Sequence, residues 1–261
     1  MIELSHRAAR AMKRRIFGPA LRVPEREELV RLGSRYGGWV LVDQDVLSGC
    51  TLVSMGLGED ASFDVEFASR YSATVLILDP TPRAVEHFRE LESQLGQRAS
   101  VSYSNGGSQP IASYDLSAIT PGQLRLIPQA VSDRSGLVRF YAPKDERHVS
   151  HSIVNFQNAY STASPFIKVS AIAVSEIASM VKDPETTVVK MDIEGAEILA
   201  LPQLLNSGWL PQQILVEYDE LNFPSSRSRH NFNQAHAQVL NAGYEITYWD
   251  RRSCVSYIRK T

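Results

Sequence analysis

Along this chain, short runs of unbroken apolar residues alternate with longer stretches whose apolar positions recur every three or four residues. The runs "TLVSM" (51–55), "ATVLILDP" (73–80), "TTVVKMD" (186–192) and "QILVEYD" (213–219) predict strands buried on both faces. "DASFDVEFASRY" (60–71) sets Phe63, Phe67 and Ala68 at helical spacing. "TPRAVEHFRELESQLG" (81–96) predicts the next helix, closed by Gly96 as a C-cap. "EGAEILALPQLLNSG" (194–208) and "SRHNFNQAHAQVLNAG" (228–243) predict two more. Strands alternating with helices imply an α/β fold whose parallel sheet is covered on both faces. "YEITYWD" (244–250) and "SCVSYIR" (253–259) close the chain as a strand–turn–strand hairpin, which places one antiparallel strand near an edge.

The remaining segments are less regular. Charged residues between Pro24 and Gly37-Gly38 predict a helix, so residues 1–36 are expected to form a helical appendage to a domain over 37–261. "WVLV" (39–42) reads as a short strand. Residues 102–123, rich in Ser, Gly, Pro and Asn, and the polar stretch 143–167 read as insertions. "LRLIPQAVSD" (124–133) predicts a strand that turns at "RSG" into "LVRFY" (137–141) as a hairpin. "VSAIAVSEIASMV" (169–181) predicts a largely helical segment.

Composition narrows the function. The 261 residues carry 27 Lys and Arg against 29 Asp and Glu, a net charge of −2 that gives no pull toward nucleic acid. Two cysteines, Cys50 and Cys254, exclude a disulfide framework and are expected to stay unpaired. No apolar run approaches the ~20 residues of a membrane span. The basic first fifteen residues lead into no apolar core of a secretory signal. A cytoplasmic protein is expected.

Two turns carry the candidate chemistry. In "SMGLGEDA", Gly56, Gly58 and Ala61 fit the loose G-x-G-x-x-G/A pattern of nucleotide-binding turns. Asp79 ends the following strand, where an acid reaches a ribose hydroxyl. Glu59 and Asp60 stand in the turn itself, where they would repel a pyrophosphate. They would attract the sulfonium and ammonium of S-adenosylmethionine, so that cofactor is favoured over a nicotinamide dinucleotide. The bland alternative for this pair is capping of the next helix.

In the second turn, "VVKMDIEGAEILAL" (188–201), a buried strand ends at Asp192 and acids open the next helix. This stretch resembles the signature of the FkbM family of S-adenosylmethionine-dependent methyltransferases, a strand followed by K-[MI]-D-[VI]-E-G-A-E, with Lys190, Asp192, Glu194, Gly195, Ala196 and Glu197 in place. "SMGLGEDASFD", "LDPTP", "PQAVSDRSGLVRFY" and "LVEYDE" extend the resemblance over roughly 50–259. One departure is the first turn, where many members have D-x-G-A-N-x-G. Here Ser54 replaces the first acid and Asp60 stands near the asparagine position. The resemblance implies a Rossmann-like methyltransferase fold, a seven-stranded mostly parallel sheet with a C-terminal antiparallel hairpin and helices on both faces. It also implies methyl transfer to a hydroxyl of a sugar, lipid or natural product.

Site roles follow as expectations. Ser54, Gly56, Gly58, Glu59, Asp60 and Phe63 line the methionine side, Asp79 with Pro80 the ribose, and Gln129, Ala130 and Val131 the adenine. Asp192 lies near the transferred methyl and positions or deprotonates the acceptor, with Glu217 and Glu194 assisting. His148 and His151 are alternative general bases. Asp192, Glu217 and Asp219 form an alternative Mg²⁺ set. Lys190 reads as an ion-paired or solvated strand residue, Glu197 as a helix-stabilising acid, and Tyr218 and Trp249 as core. His87, His230 and His236 read as helix-surface residues. The expected partner is a small hydroxylated acceptor, with homo-oligomerisation through the appendage. The rival functions are an NAD(P)-dependent oxidoreductase, which lacks a Tyr-x-x-x-Lys pair (Tyr141 and Lys144 are one short), and a methyltransferase fold that binds without turnover.

Overall fold

The computed structural model describes residues 16, 18–143, 151–155, 161 and 163–260. Seven strands form the main sheet: β3 (Thr51–Met55), β4 (Thr74–Leu78), β5 (Leu124–Ile127), β9 (Val188–Met191), β10 (Gln213–Glu217), β11 (Tyr244–Trp249) and β12 (Cys254–Arg259). Their spatial order is β11-β12-β10-β9-β3-β4-β5. Every neighbouring pair is parallel except those of β12, which is antiparallel to both β10 and β11. The single antiparallel strand thus lies one place in from the edge. The chain builds outward from β3 through β4 to β5, then returns to lay β9 on the other side of β3. That reversal opens a crevice beyond the C-terminal ends of β3 and β9, the ligand position of such sheets.

The apolar strands are continuous because each of their faces is covered. Val53, Met55, Val189, Met191, Ile214 and Val216 face one core, under α3 (Val174–Ser179), α4 (Glu197–Asn206) and α6 (Ser226–Asn241). Leu52, Val75, Ile77, Val188 and Leu215 face the other, under α1 (Ser62–Tyr71) and α2 (Pro82–Ser93). Alternate residues of one strand therefore serve opposite cores. A further short helix, α5 (Asp219–Asn222), follows β10. No described helix is long and apolar enough to cross a membrane.

Three expectations are corrected. Between Pro24 and Gly38 the chain forms no helix: β1 (Leu29–Leu32) pairs antiparallel with β2 (Trp39–Val42) across the expected boundary at residue 36. The cause is long-range. The Gln213 side chain bonds both the N–H and the carbonyl of Val42, and Ser256 Oγ donates to the carbonyl of Val40. The expected strand 124–133 breaks at Pro128, which lacks an N–H to continue a ladder. Its second part, β6 (Ala130–Ser132), leaves the main sheet. It joins a three-stranded sheet, order β6-β8-β7, with β7 (Gly136–Tyr141) and β8 (Phe166–Ala173). Hence 130–141 is no hairpin, because β8 lies between its two strands. Residues 169–173, expected in a helix, are the end of β8, and helix α3 starts only at Val174.

Candidate active site

A cleft of about 1270 Å³ opens at the switch point. Its floor is the contact of the two acidic turns. The Asp192 N–H donates to the carbonyl of Met55 at 2.9 Å, and the Gly56 N–H to that of Leu78 at 2.9 Å. A Cβ on Gly56 would lie 2.0 Å from the Asp192 carbonyl oxygen, and Gly56 has φ +93°. Only glycine allows the two strand ends to approach so closely.

Asp79 organises the first turn. Its Oδ2 accepts the N–H groups of Leu57 and Gly58, each at 2.9 Å. Its Oδ1 accepts the Thr81 N–H at 2.8 Å and the Thr81 hydroxyl at 2.7 Å. The two acids of the turn are also engaged. Glu59 pairs with Arg83. Asp60, 8% exposed, accepts from Ser34 Oγ at 2.6 Å and Gln109 Nε2 at 3.0 Å. Its other oxygen accepts the N–H of Ser62, the first residue of α1, at 3.0 Å. Asp60 thereby ties the β1–β2 tip and the loop 104–109 to the turn. Across the cleft mouth, the Tyr36 ring of that tip lies against Gly107, where a Cβ would sit 2.7 Å from it.

The second turn explains its own sequence. Glu194 (φ +58°) and Gly195 (φ +94°) both adopt the left-handed conformation. Glu197, fully buried, accepts the Ile193 N–H at 2.8 Å and the Gly195 N–H at 2.9 Å, so it fixes the turn rather than facing a ligand. Burial raises its carboxyl pKa well above the usual range, with Asp219 and Glu220 adding to the rise. Lys190 is neither solvated nor in a salt bridge among the described residues. It is 5% exposed, donates to the Gly56 carbonyl, and lies 5.8 Å from the Trp39 ring centre.

Two carboxylates end β9 and β10 at the cleft. Burial raises the Asp192 pKa, with Asp79 adding and the Lys190 ammonium opposing. Burial and then Asp192 push Glu217 up to about 7, against hydrogen bonds to its Oε1 from Asn222 (3.0 Å) and Ser253 (2.9 Å). Both carboxyl groups therefore hold a proton more tightly than an exposed acid does, and the Asp192 charge is part of the rise at Glu217.

The cleft lining brings together Gly56, Gly58, Glu59, Asp60, Asp79, Pro80, Ala130, Val131, His151, Asp192 and Glu217. Ser54 and Phe63 are corrected: both are buried and absent from the lining, Ser54 within β3 and Phe63 against Trp39 and Phe67. Gln129 also stays outside the lining, between β5 and β6. His148 lies outside the described residues, while His151 stacks on Phe140. His87 is buried and His236 half-buried, and each bonds a tyrosine hydroxyl, Tyr114 and Tyr257 respectively. Among the described residues no three His, Cys, Asp or Glu side chains are grouped to hold a metal, so the Mg²⁺ set of Asp192, Glu217 and Asp219 is unsupported. Sequence reasoning missed Tyr36, Trp39, Arg35, Ser108, Arg252 and Ser253, all of which line the cleft. They come from the hairpin tip, the loop 104–109 and the β11–β12 turn, which carry no motif and meet only in three dimensions.

Comparison with known proteins gives a family match over residues 54–246, to the model described as the methyltransferase FkbM domain. No curated protein matches. Similar solved structures include the Methanococcus jannaschii fibrillarin pre-rRNA processing protein, at 8% identity and TM-score 0.42, covering 83% of this chain and 69% of that one. Another is precorrin-6y C5,15-methyltransferase from Geobacter metallireducens GS-15, at 10% identity and TM-score 0.39, covering 82% and 85%. A third is the S-adenosylmethionine-dependent methyltransferase SibL in its apo form, at 13% identity and TM-score 0.37, covering 84% and 53%.

Proposed function

The chain belongs to the FkbM methyltransferase family, and on that premise we propose that its cleft binds S-adenosylmethionine and directs methyl transfer to a hydroxyl oxygen of a small acceptor. The observation that carries this is the Asp192–Glu217 pair. It stands at the switch point beside Gly56, and among the described residues neither carboxylate forms a salt bridge. A cationic, phosphate-free ligand is what such a site receives. A volume of about 1270 Å³ exceeds the roughly 300–1,000 Å³ of single-ligand pockets and so leaves space for an acceptor beside the cofactor.

When bound, S-adenosylmethionine supplies an already activated methyl group, so the protein's task is to position and to remove a proton. The Asp79 carboxylate has about four acceptor sites, and four protein donors fill them. The Thr81 hydroxyl is the one of these free to rotate away, so a ribose hydroxyl takes its place. Ala130 and Val131 supply the apolar wall for the adenine. Asp192 holds the acceptor hydroxyl, and the carboxylate pair takes its proton. On Glu217 the receiving atom is Oε2, since Asn222 and Ser253 occupy Oε1. His151 is the alternative base on the same wall.

One observation keeps the dinucleotide reading alive. Glu59 is neutralised by Arg83, so the first turn repels a pyrophosphate less than its sequence implies. Discrimination then falls on Asp192 and Glu217.

That yields a pH prediction. A sulfonium next to Glu217 favours the ionised carboxylate, so binding displaces a proton from a group that titrates at about 7. Affinity for S-adenosylmethionine is expected to rise with pH through about 7, and affinity for uncharged-sulfur S-adenosylhomocysteine to rise less. Without ligand the linkage has the opposite sign. Glu217 holds its proton more tightly folded (about 7) than at its ordinary 4.5. Its contribution to stability is therefore full at the acid end of that window and lost as pH rises through it. Calorimetric titration across this range, with equal slopes for both ligands, would remove Glu217 from the sulfonium's surroundings.

A further inference from the structure

Backbone N–H groups of the first turn are held by acceptors reaching in from elsewhere. Asp79 takes those of Leu57 and Gly58, and Tyr114 takes that of Ala61. The Tyr114 hydroxyl oxygen accepts the Ala61 N–H at 3.0 Å and lies 2.7 Å from Nε2 of His87 in α2. These are its hydrogen-bond partners among the described residues. Tyr114 is 1% exposed and His87 7%. The Tyr103 ring packs against Tyr114 with centroids 6.1 Å apart.

Donor accounting fixes the proton in this buried pair. A phenol carries one hydrogen. The Ala61 N–H can only donate, so the oxygen accepts there. The phenolic hydrogen then has one acceptor within reach, the Nε2 lone pair, which requires a neutral His87 carrying its own proton on Nδ1. A doubly protonated imidazole would aim a second N–H at the same oxygen and leave the buried phenolic hydrogen unsatisfied. Burial favours the neutral form and lowers the His87 pKa. The charged groups facing it are Glu59 and Asp60 of the turn and Glu90 of its own helix, and all three oppose that effect.

We propose that His87 is a positioning residue: as a neutral acceptor it orients the Tyr114 hydroxyl, which holds the Ala61 N–H at the start of α1 and so sets the shape of the cofactor turn. The consequence for the cofactor rests on the cleft being the S-adenosylmethionine site. The geometry of the Ala61–Tyr114–His87 chain does not.

The test uses the full chain, with S-adenosylhomocysteine as probe to avoid the sulfonium's own pH effect. Affinity is measured by calorimetry, and protection of the Ala61 amide hydrogen against exchange, relative to its intrinsic rate at each pH, by NMR, each between about pH 8 and pH 5. For the wild type, gain of a proton by His87, which burial shifts below the ordinary histidine range, is expected to weaken binding about tenfold and to lower Ala61 protection. His87→Gln supplies an uncharged acceptor. It is expected to keep affinity at pH 8 within about threefold of the wild type, to leave only the smaller acid-side loss that Glu217 causes, and to keep Ala61 protection constant with pH. His87→Leu is expected to be about tenfold weaker throughout, with fast Ala61 exchange. An acid-side loss in His87→Gln equal to that of the wild type, or wild-type behaviour of a folded His87→Leu, overturns the proposal. Failure of the wild type to bind at pH 8 would instead sink the cofactor reading, and the Ala61 exchange profiles would still decide the role of His87.

Discussion

Asp79→Ala is expected to abolish measurable binding of S-adenosylmethionine, with an affinity loss of at least about 100-fold. Four hydrogen bonds converge on this carboxylate, and two of them come from the N–H groups of Leu57 and Gly58 in the glycine turn. Leu57 is 5% exposed, so water does not replace the lost acceptor without cost. Each buried donor left unsatisfied costs about 1–3 kcal/mol. The two buried donors, the N–H groups of Leu57 and Thr81, with the displaced ribose contact, account for the expected loss. The same substitution is expected to lower the melting temperature. Its total cost is a large fraction of the ~5–15 kcal/mol that stabilises a typical domain. Asp79→Asn separates the effects. It keeps the volume and one acceptor oxygen but turns an amide N–H₂ toward backbone or hydroxyl donors. The variant is expected to fold and still bind at least about tenfold more weakly. Binding by Asp79→Ala within a few-fold of the wild type, in protein shown folded by its melting curve, would mean that the first turn does not carry the cofactor.

Asp192→Asn is expected to behave in the opposite way. The amide is isosteric, the Asp192 N–H to Met55 contact is made by backbone, and the Gly56 approach involves the backbone carbonyl. The cleft's shape therefore survives, and affinity for S-adenosylmethionine is expected to fall by less than about tenfold, the share of one partly screened charge. Transfer of a labelled methyl group to hydroxylated small-molecule extracts is expected to fall by about 10²–10⁴, the usual contribution of a general base. A second signature follows from the coupling. Asp192 is among the causes that push Glu217 up to about 7, so its neutralisation lowers the Glu217 pKa. The pH dependence of cofactor affinity then moves toward acid. A variant that kept full transfer and an unmoved profile would assign the chemistry elsewhere on the wall, with His151 next in line.

The parts of this structure that could be read from sequence are those whose cause is local. Strands β3, β4, β9 and β10 show as unbroken apolar runs because alternate residues of each serve two cores. Gly56, Asp79, Asp192 and Glu217 stand out because they end those strands, and strand ends face the ligand crevice of this architecture. What sequence concealed has non-local causes. The segment from Pro24 to Gly38 carries helix signals, yet Gln213 and Ser256, far along the chain, recruit its neighbour β2 and with it β1. Residues 169–173 have no period that separates strand from helix, and pairing with β6 and β7 decides the matter. His87 occupies an amphipathic helix, and nothing in that pattern announces a tyrosine hydroxyl 2.7 Å away. Glu59 shows the reverse error. Its place in the first turn implies repulsion of a pyrophosphate or capping of the next helix, and instead Arg83 at the start of α2 pairs with it.

The carboxylates gathered at the switch point are proposed to make a site for a cationic, phosphate-free cofactor. Parallel calorimetric titrations of the wild-type protein with S-adenosylmethionine, S-adenosylhomocysteine and NADH test it most directly. One molecule of each adenosyl ligand is expected to bind per chain, competitively with the other, and NADH is expected to show no heat of binding. Saturable binding of NADH without binding of either adenosyl ligand would contradict the claim.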